Sequence, residues 1–336
     1  MWWVIPLIAA ALVSGCGGES EQEKAAAGSA GRGAPSGGSA GVPGGNGGTG
    51  ATAGAPGAGS GGAGGSGGAV SVDCGGNFGT PSVVLSVPGV EIGSLAPSSD
   101  ELELIYSGAT QTDVSYTSGF YRSARASKDV PFAPGTPLPE LDAACADSTL
   151  GRSGDLSADG LRFYFVCYSL EEADPLVPLH VARRASPSAA FVVDSTTYGT
   201  VRPGPAISAD ELTLFTSASR AEIVGANSYV RPSASAPFGS ATILAGLETV
   251  ITPDLSSDGR FLFGSVTNGD VPSALVVAER ASTNVSFASY TPVLTAPDLR
   301  SVLGSPAISQ DCRSLYYVLV TNDPIPLTYS AMVVKR

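Results

Sequence analysis

An all-β, five-bladed β-propeller is the fold this sequence predicts, on two observations. The first is a repeat of Ser, one variable residue and Asp followed by a bulky apolar run. It occurs at Ser98-Ser99-Asp100, Ser157-Ala158-Asp159, Ser208-Ala209-Asp210, Ser256-Ser257-Asp258 and Ser309-Gln310-Asp311. The aspartates recur every 48–59 residues, a spacing typical of radially repeated β-architectures. The second is composition. Short runs rich in β-branched and aromatic residues alternate with Gly, Pro, Ser and Asp, and no stretch sustains a helical period.

Each repeat reads as four strands. A Pro-led or apolar segment such as 205–208 forms the inner strand, and the Asp turn leads to a second strand such as 161–166. A third strand ends in basic residues, as at Arg183-Arg184 or Arg280, and an aromatic-led outer strand follows, as at 191–193, 238–243 and 287–290. In the turn, the Asp carboxylate can accept backbone N–H groups two residues on, and the Ser hydroxyl can bond across the same turn. Gly160 and Gly259 suit the left-handed backbone such a turn needs. Ser98, Asp100, Ser157, Asp159, Ser208, Asp210, Ser256, Asp258, Ser309 and Asp311 are therefore expected to be structural.

The final segment, 330–336, matches a third strand without a fourth, while 78–85 matches a fourth strand without a blade. Residues 78–85 are thus expected to complete the last blade and close the ring, which protects the sheet edges.

The Ser-x-Asp repeat resembles the WD40-like (PD40) repeat of TolB-type propellers, over the five segments above and by extension most of 74–336. That resemblance implies a propeller fold; the family's partners do not carry over, because TolB has six blades and an additional domain where this chain has five motifs. It departs from the family pattern in that Pro never stands between Ser and Asp, and only Asp159 and Asp258 are followed by Gly.

Ahead of this domain lie two other regions. Residues 1–15 are an apolar segment too short to span a bilayer, which needs roughly 20 residues, and they read as a signal peptide. The segment Val13-Ser14-Gly15-Cys16 resembles the bacterial lipobox, which implies lipid attachment at Cys16. No Lys or Arg precedes it, a departure from the usual basic start. Residues 16–73 are a Gly/Ala/Ser-rich tether, too poor in apolar side chains to offset the entropy of ordering; as a flexible coil it would reach roughly 40 Å. No Asp follows Cys16, which favours the outer membrane. The expectation is an exported, outer-membrane-anchored lipoprotein, held to the membrane through its lipid alone and monomeric.

Four further cysteines, an even number in an exported chain, suggest disulfides. The blade assignment places Cys145 and Cys167 beside neighbouring strands of blade two, and Cys74 and Cys312 in the closing blade, so the expected pairs are Cys145–Cys167 and Cys74–Cys312. No zinc-type spacing is present, and neither a metal nor a cofactor is expected.

The chain carries 30 acidic against 18 basic residues, a net charge of −12, which argues against nucleic acid as partner. With one histidine, His180, and no nucleophile motif, there is no basis for a catalytic triad. No catalytic residue is assigned and the chain is expected not to be an enzyme. It reads instead as a binding or scaffold module for an envelope protein, peptide or glycan. Glu171, Glu172 and Asp174, in a loop that varies between repeats, are candidate contacts. The alternative is a glycan-active hydrolase using central-channel carboxylates, for which Asp155 and Asp254, on equivalent inner strands, are the candidate pair.

Overall fold

A computed structural model describes residues 74, 76–111, 116–145, 151–169, 176–218, 225–268, 271–322 and 327–336. The signal segment, Cys16 and the tether lie outside the described residues, as do Glu171, Glu172 and Asp174.

Five four-stranded antiparallel sheets form the blades. Blade one runs from the inner strand Val90–Pro97 through Glu103–Gln111 and Tyr116–Ala124 to Thr136–Pro137. Blade two comprises Gly151–Leu156, Arg162–Tyr168, His180–Arg183 and Val192–Val193. Blade three comprises Ala206–Ile207, Thr213–Ala218, Gly225–Val230 and Thr242–Ile243. Blade four comprises Ile251–Leu255, Phe261–Asn268, Val271–Glu279 and Thr291–Thr295. Blade five takes Ser301–Ile308, Ser314–Thr321 and Thr328–Lys335 from the C-terminal end and Ser82–Leu85 from the N-terminal end. The closing register sets Ser82 opposite Val333 and Val83 opposite Met332.

Alternation along the second strand of each blade sends one side chain to each neighbouring blade. In blade three Leu214 packs with Tyr164, Val166 and Leu179 of blade two, whereas Phe215 packs with Leu255 and Leu262 of blade four. The core is thus a ring of inter-blade layers. Period-two patterning with both faces buried is what such a sandwich of sheets demands.

Four details differ from the sequence expectation. The outer strands of blades three and four are Thr242–Ile243 and Thr291–Thr295 rather than 238–243 and 287–290, and the closing strand pairs over Ser82–Leu85 rather than from Phe78. In all three places the aromatic residue leaves the ladder to cover an arginine: the guanidinium carbon lies 4.4 Å from the ring centre for Arg231 over Phe238 and for Arg280 over Phe287, and 4.3 Å for Arg336 over Phe78. A short helix, Pro139–Asp142, continuing into a 3-10 turn at Ala143–Cys145, connects blades one and two. It is too short to leave a periodic signature.

The disulfides are Cys74–Cys312, with Cα atoms 5.2 Å apart, and Cys145–Cys167, at 5.5 Å. The first ties the segment preceding the closing strand to the turn of blade five. Among the described residues no helix is long and apolar enough to cross a membrane.

Candidate functional site

The five Ser-x-Asp turns share one bonding pattern. The serine hydroxyl donates to the Asp carboxylate at 2.6–2.7 Å. The same carboxylate oxygen accepts the N–H two residues on, at 2.9–3.0 Å. The serine oxygen also accepts the N–H five residues after it, at 2.9 Å in every repeat. All ten side chains are engaged within their own turns. The Ser98 hydroxyl, with the Leu102 N–H, holds Asp100 below the usual carboxylate range.

These turns surround one mouth of the central channel. A cavity of about 60 Å³ lies there, lined by residues of all five blades, among them Pro97, Asp155, Ile207, Asp254 and Ile308. That volume holds a few water molecules. Across the mouth, the Gln310 side chain donates to the Ala158 carbonyl at 2.7 Å, and the Ser257 hydroxyl donates to the Gln310 carbonyl at 2.8 Å.

Asp155 and Asp254 stand two residues before the turn serine on blades two and four, where blades one, three and five carry Ala96, Ala206 and Ala307. Asp155 accepts the N–H of Leu156 at 2.7 Å on one oxygen and that of Ile207, in blade three, at 2.8 Å on the other. Asp254 accepts the N–H of Ile308, in blade five, at 2.5 Å, and also that of Leu255. Each carboxyl keeps a sliver of surface open to the cavity while being enclosed by protein. Burial pushes Asp155 up to about 6, against the pull of the two N–H groups. Burial, and then the charge of Asp155, raise Asp254 well above the usual range. The charge of Asp155 thus favours the protonated form of Asp254.

His180 stacks on Phe165 with ring centres 5.2 Å apart, and burial lowers its proton affinity. Among the described residues no group of three His, Cys, Asp or Glu could hold a metal ion.

Sequence reasoning missed a set of buried ion pairs between blades. Glu211 accepts the Tyr164 hydroxyl at 2.5 Å and pairs with Arg162 at 2.8 Å. Glu101 accepts the Tyr316 hydroxyl at 2.6 Å, and Glu103 receives both amino groups of Arg184 at 2.7 and 3.0 Å. The arginines had a signal in the sequence. Arg-x-Ser-x4-Phe occurs at 125–132, 184–191, 231–238 and 280–287. In each copy the guanidinium lies 4.3–4.7 Å from the phenylalanine ring centre.

No protein-family model matches the chain, nor does any curated protein. Solved structures do match in fold. One is TolB from Acinetobacter baumannii, at 12% identity and a TM-score of 0.42, covering 76% of this chain and 57% of that one. The chain thus spans little more than half the length of that relative. A family 117 glycoside hydrolase from Zobellia galactanivorans matches at 9% identity and 0.51, covering 77% of this chain and 90% of that one. A GH43_1 enzyme from Xanthomonas citri, complexed with xylotriose, matches at 10% and 0.51, covering 76% and 89%.

The likeness is one of fold. It nonetheless corrects the expectation that the chain is not an enzyme, since structures of this fold include glycoside hydrolases. The expectation rested on the lack of a catalytic motif, and glycosidic chemistry needs none. It requires two carboxyl groups that the fold brings together from distant positions.

Proposed function

We propose that the propeller is a glycan-active hydrolase whose acid–base pair is Asp254 and Asp155. The observation that carries this reading is the pair of enclosed channel carboxyls on alternate blades, both raised by burial, with the charge of Asp155 adding to the hold of Asp254 on its proton. Asp254, the more strongly raised, keeps its proton at neutral pH and can donate it to a departing sugar oxygen. Asp155, ionised above about 6, serves as base toward the attacking water. Environments that push two carboxyls apart in this way are the usual basis of acid and base roles in glycoside hydrolysis. The cavity of about 60 Å³ has room for that water and not for a sugar ring. The sugar would dock at the mouth, beside Ser99, Ser257 and Gln310, with Gln310 turning aside. The fold shared with the two hydrolases supports the reading.

Hydrolysis of a panel of xylo- and arabino-oligosaccharides, followed by release of reducing ends, tests it. Wild-type activity should have an acid limb near pH 6 and fall again at alkaline pH. D155N and D254N should each lose about 100-fold or more. Absence of hydrolysis across the panel, or variants as active as the wild type, would sink the proposal. The wild-type pH profile remains informative even if a variant folds poorly.

We also propose that the enzyme is exported and tethered to the outer membrane by lipid at Cys16. The lipobox-like segment supports this, and two disulfides fit an oxidising compartment. Radiolabelled palmitate should enter the wild-type chain and not C16A.

A further inference from the structure

The residue between serine and aspartate is the variable place in the Ser-x-Asp turn. In four repeats it is small: Ser99, Ala158, Ala209 and Ser257. In blade five it is Gln310, the one long side chain of the five. That side chain leaves its own turn and crosses the channel mouth. Its Nε2 donates to the Ala158 carbonyl at 2.7 Å, joining positions 152 residues apart. Blades five and two are not neighbours, for the inner strand of blade one packs against the inner strands of both. The Ser257 hydroxyl donates to the Gln310 carbonyl at 2.8 Å, so blade four steadies the backbone from which the side chain sets out. Gln310 and Ala158 are half-buried, and both line the cavity that holds Asp155 and Asp254.

Holding the ring together does not call for this contact. The turns bond internally, neighbouring blades share apolar layers, and the closing strand and disulfide complete the circle. Gln310 instead spans a cavity, on a single neutral hydrogen bond beside solvent. Such a bond contributes little net, because water can replace either partner. A long side chain also regains rotamer freedom when it is released. From a bond of that strength, the side chain stands away from Ala158 in about a tenth to a third of molecules. Its departure uncovers the Ala158 carbonyl, an acceptor that water or a sugar hydroxyl can use, next to the two enclosed carboxyls.

We propose that Gln310 is a gate that sets access from solvent to Asp155 and Asp254. Its bond to Ala158 is the closed state, and the swing of one side chain opens it. That the admitted molecule is a glycan rests on the hydrolase reading of the carboxyl pair; the gate itself does not.

Thiol labelling inside the cavity tests the gate without any turnover. Ala307 lines the cavity and is 4% exposed, whereas Ala209 lines it from the exposed rim. Cys74, Cys145, Cys167 and Cys312 are tied up in disulfides, and peptide mapping separates Cys16 from an introduced thiol. At pH 8, A307C should react slowly with iodoacetamide, and A307C with Q310A about 3- to 10-fold faster. A209C should react at one rate with and without Q310A. Q310E, close in size but ionised and without a donor for the carbonyl, should open the channel as Q310A does. Should A307C fold poorly, carbodiimide coupling of an amine to Asp155 and Asp254, mapped by mass, gives the same comparison in the unaltered cavity. A307C reacting as fast as A209C, no acceleration by Q310A, or Q310E staying as closed as the wild type would each overturn the gate. Acceleration by Q310A in a chain that cleaves no glycan would uphold the gate and remove only the hydrolase.

Discussion

One position after each turn aspartate, the backbone enters the left-handed region in all five repeats: φ is 58° at Glu101, 70° at Gly160, 60° at Glu211, 71° at Gly259 and 56° at Cys312. A non-glycine residue costs roughly 1–2 kcal/mol in this conformation. Each of the three exceptions makes a contact that glycine could not: Glu101 and Glu211 bond a tyrosine of the preceding blade, and Cys312 forms a disulfide. The turn itself was readable because its bonds are local, whereas the partners of Glu101 and Glu211 lie 215 and 47 residues away. The channel carboxyls bear on stability as well as chemistry. The proton affinity of Asp155 is higher folded than unfolded, so the folded state binds more protons between about pH 4 and 6. Stability should therefore fall as pH rises through that window, by roughly 1–3 kcal/mol from this group, and Asp254, which holds its proton more strongly, should continue the decline at higher pH. Denaturant melts from pH 4 to 8 should show the slope in the wild type and a flatter one in D155N.

The Arg-x-Ser-x4-Phe segment joins the third strand to the outer strand and acts as a unit. Arg231 donates to the Glu211 carbonyl at 2.6 Å and to the Tyr164 hydroxyl at 2.9 Å, and lies over Phe238, its side chain wholly shielded from solvent. Arg125, Arg184 and Arg280 donate in the same way to the carbonyl of the residue after their own turn aspartate. The basic strand ends are readable in the sequence, where the phenylalanines read as strand residues. That the two meet is not readable, because six intervening residues must first form a turn. R231A would leave Glu211 buried with less compensation and expose the Phe238 ring to a void. A loss of roughly 3–5 kcal/mol is expected by analogy with other broken buried pairs. R231A combined with F238A should cost less than the sum of the two single changes, as read by chemical denaturation.

Closure is the property of the whole ring, and it was legible because both ends of the domain carried incomplete blades. The disulfides differ in what they close. Cys74–Cys312 spans 238 residues and Cys145–Cys167 spans 22. On loop-entropy grounds the first restricts the unfolded chain by about 5 kcal/mol and the second by about 3. C74S/C312S should therefore lower the melting temperature more than C145S/C167S, as calorimetry would show. The candidate catalytic pair was half legible: the sequence placed Asp155 and Asp254 on equivalent strands, but only the assembled ring shows that each bonds the next blade.

Just before each turn serine stand Pro97, Leu156, Ile207, Leu255 and Ile308, one from every blade, all lining the channel. Four of them present an N–H to the axis, and the two carboxyls accept all four, one from each carboxyl's own blade and one from the next. Acids that each serve two blades can account for an even number only, and the ring has five. The remaining place is filled by proline, which has no N–H to leave unmet. Putting any other residue at Pro97 would turn an exact tally at the axis into a remainder of one.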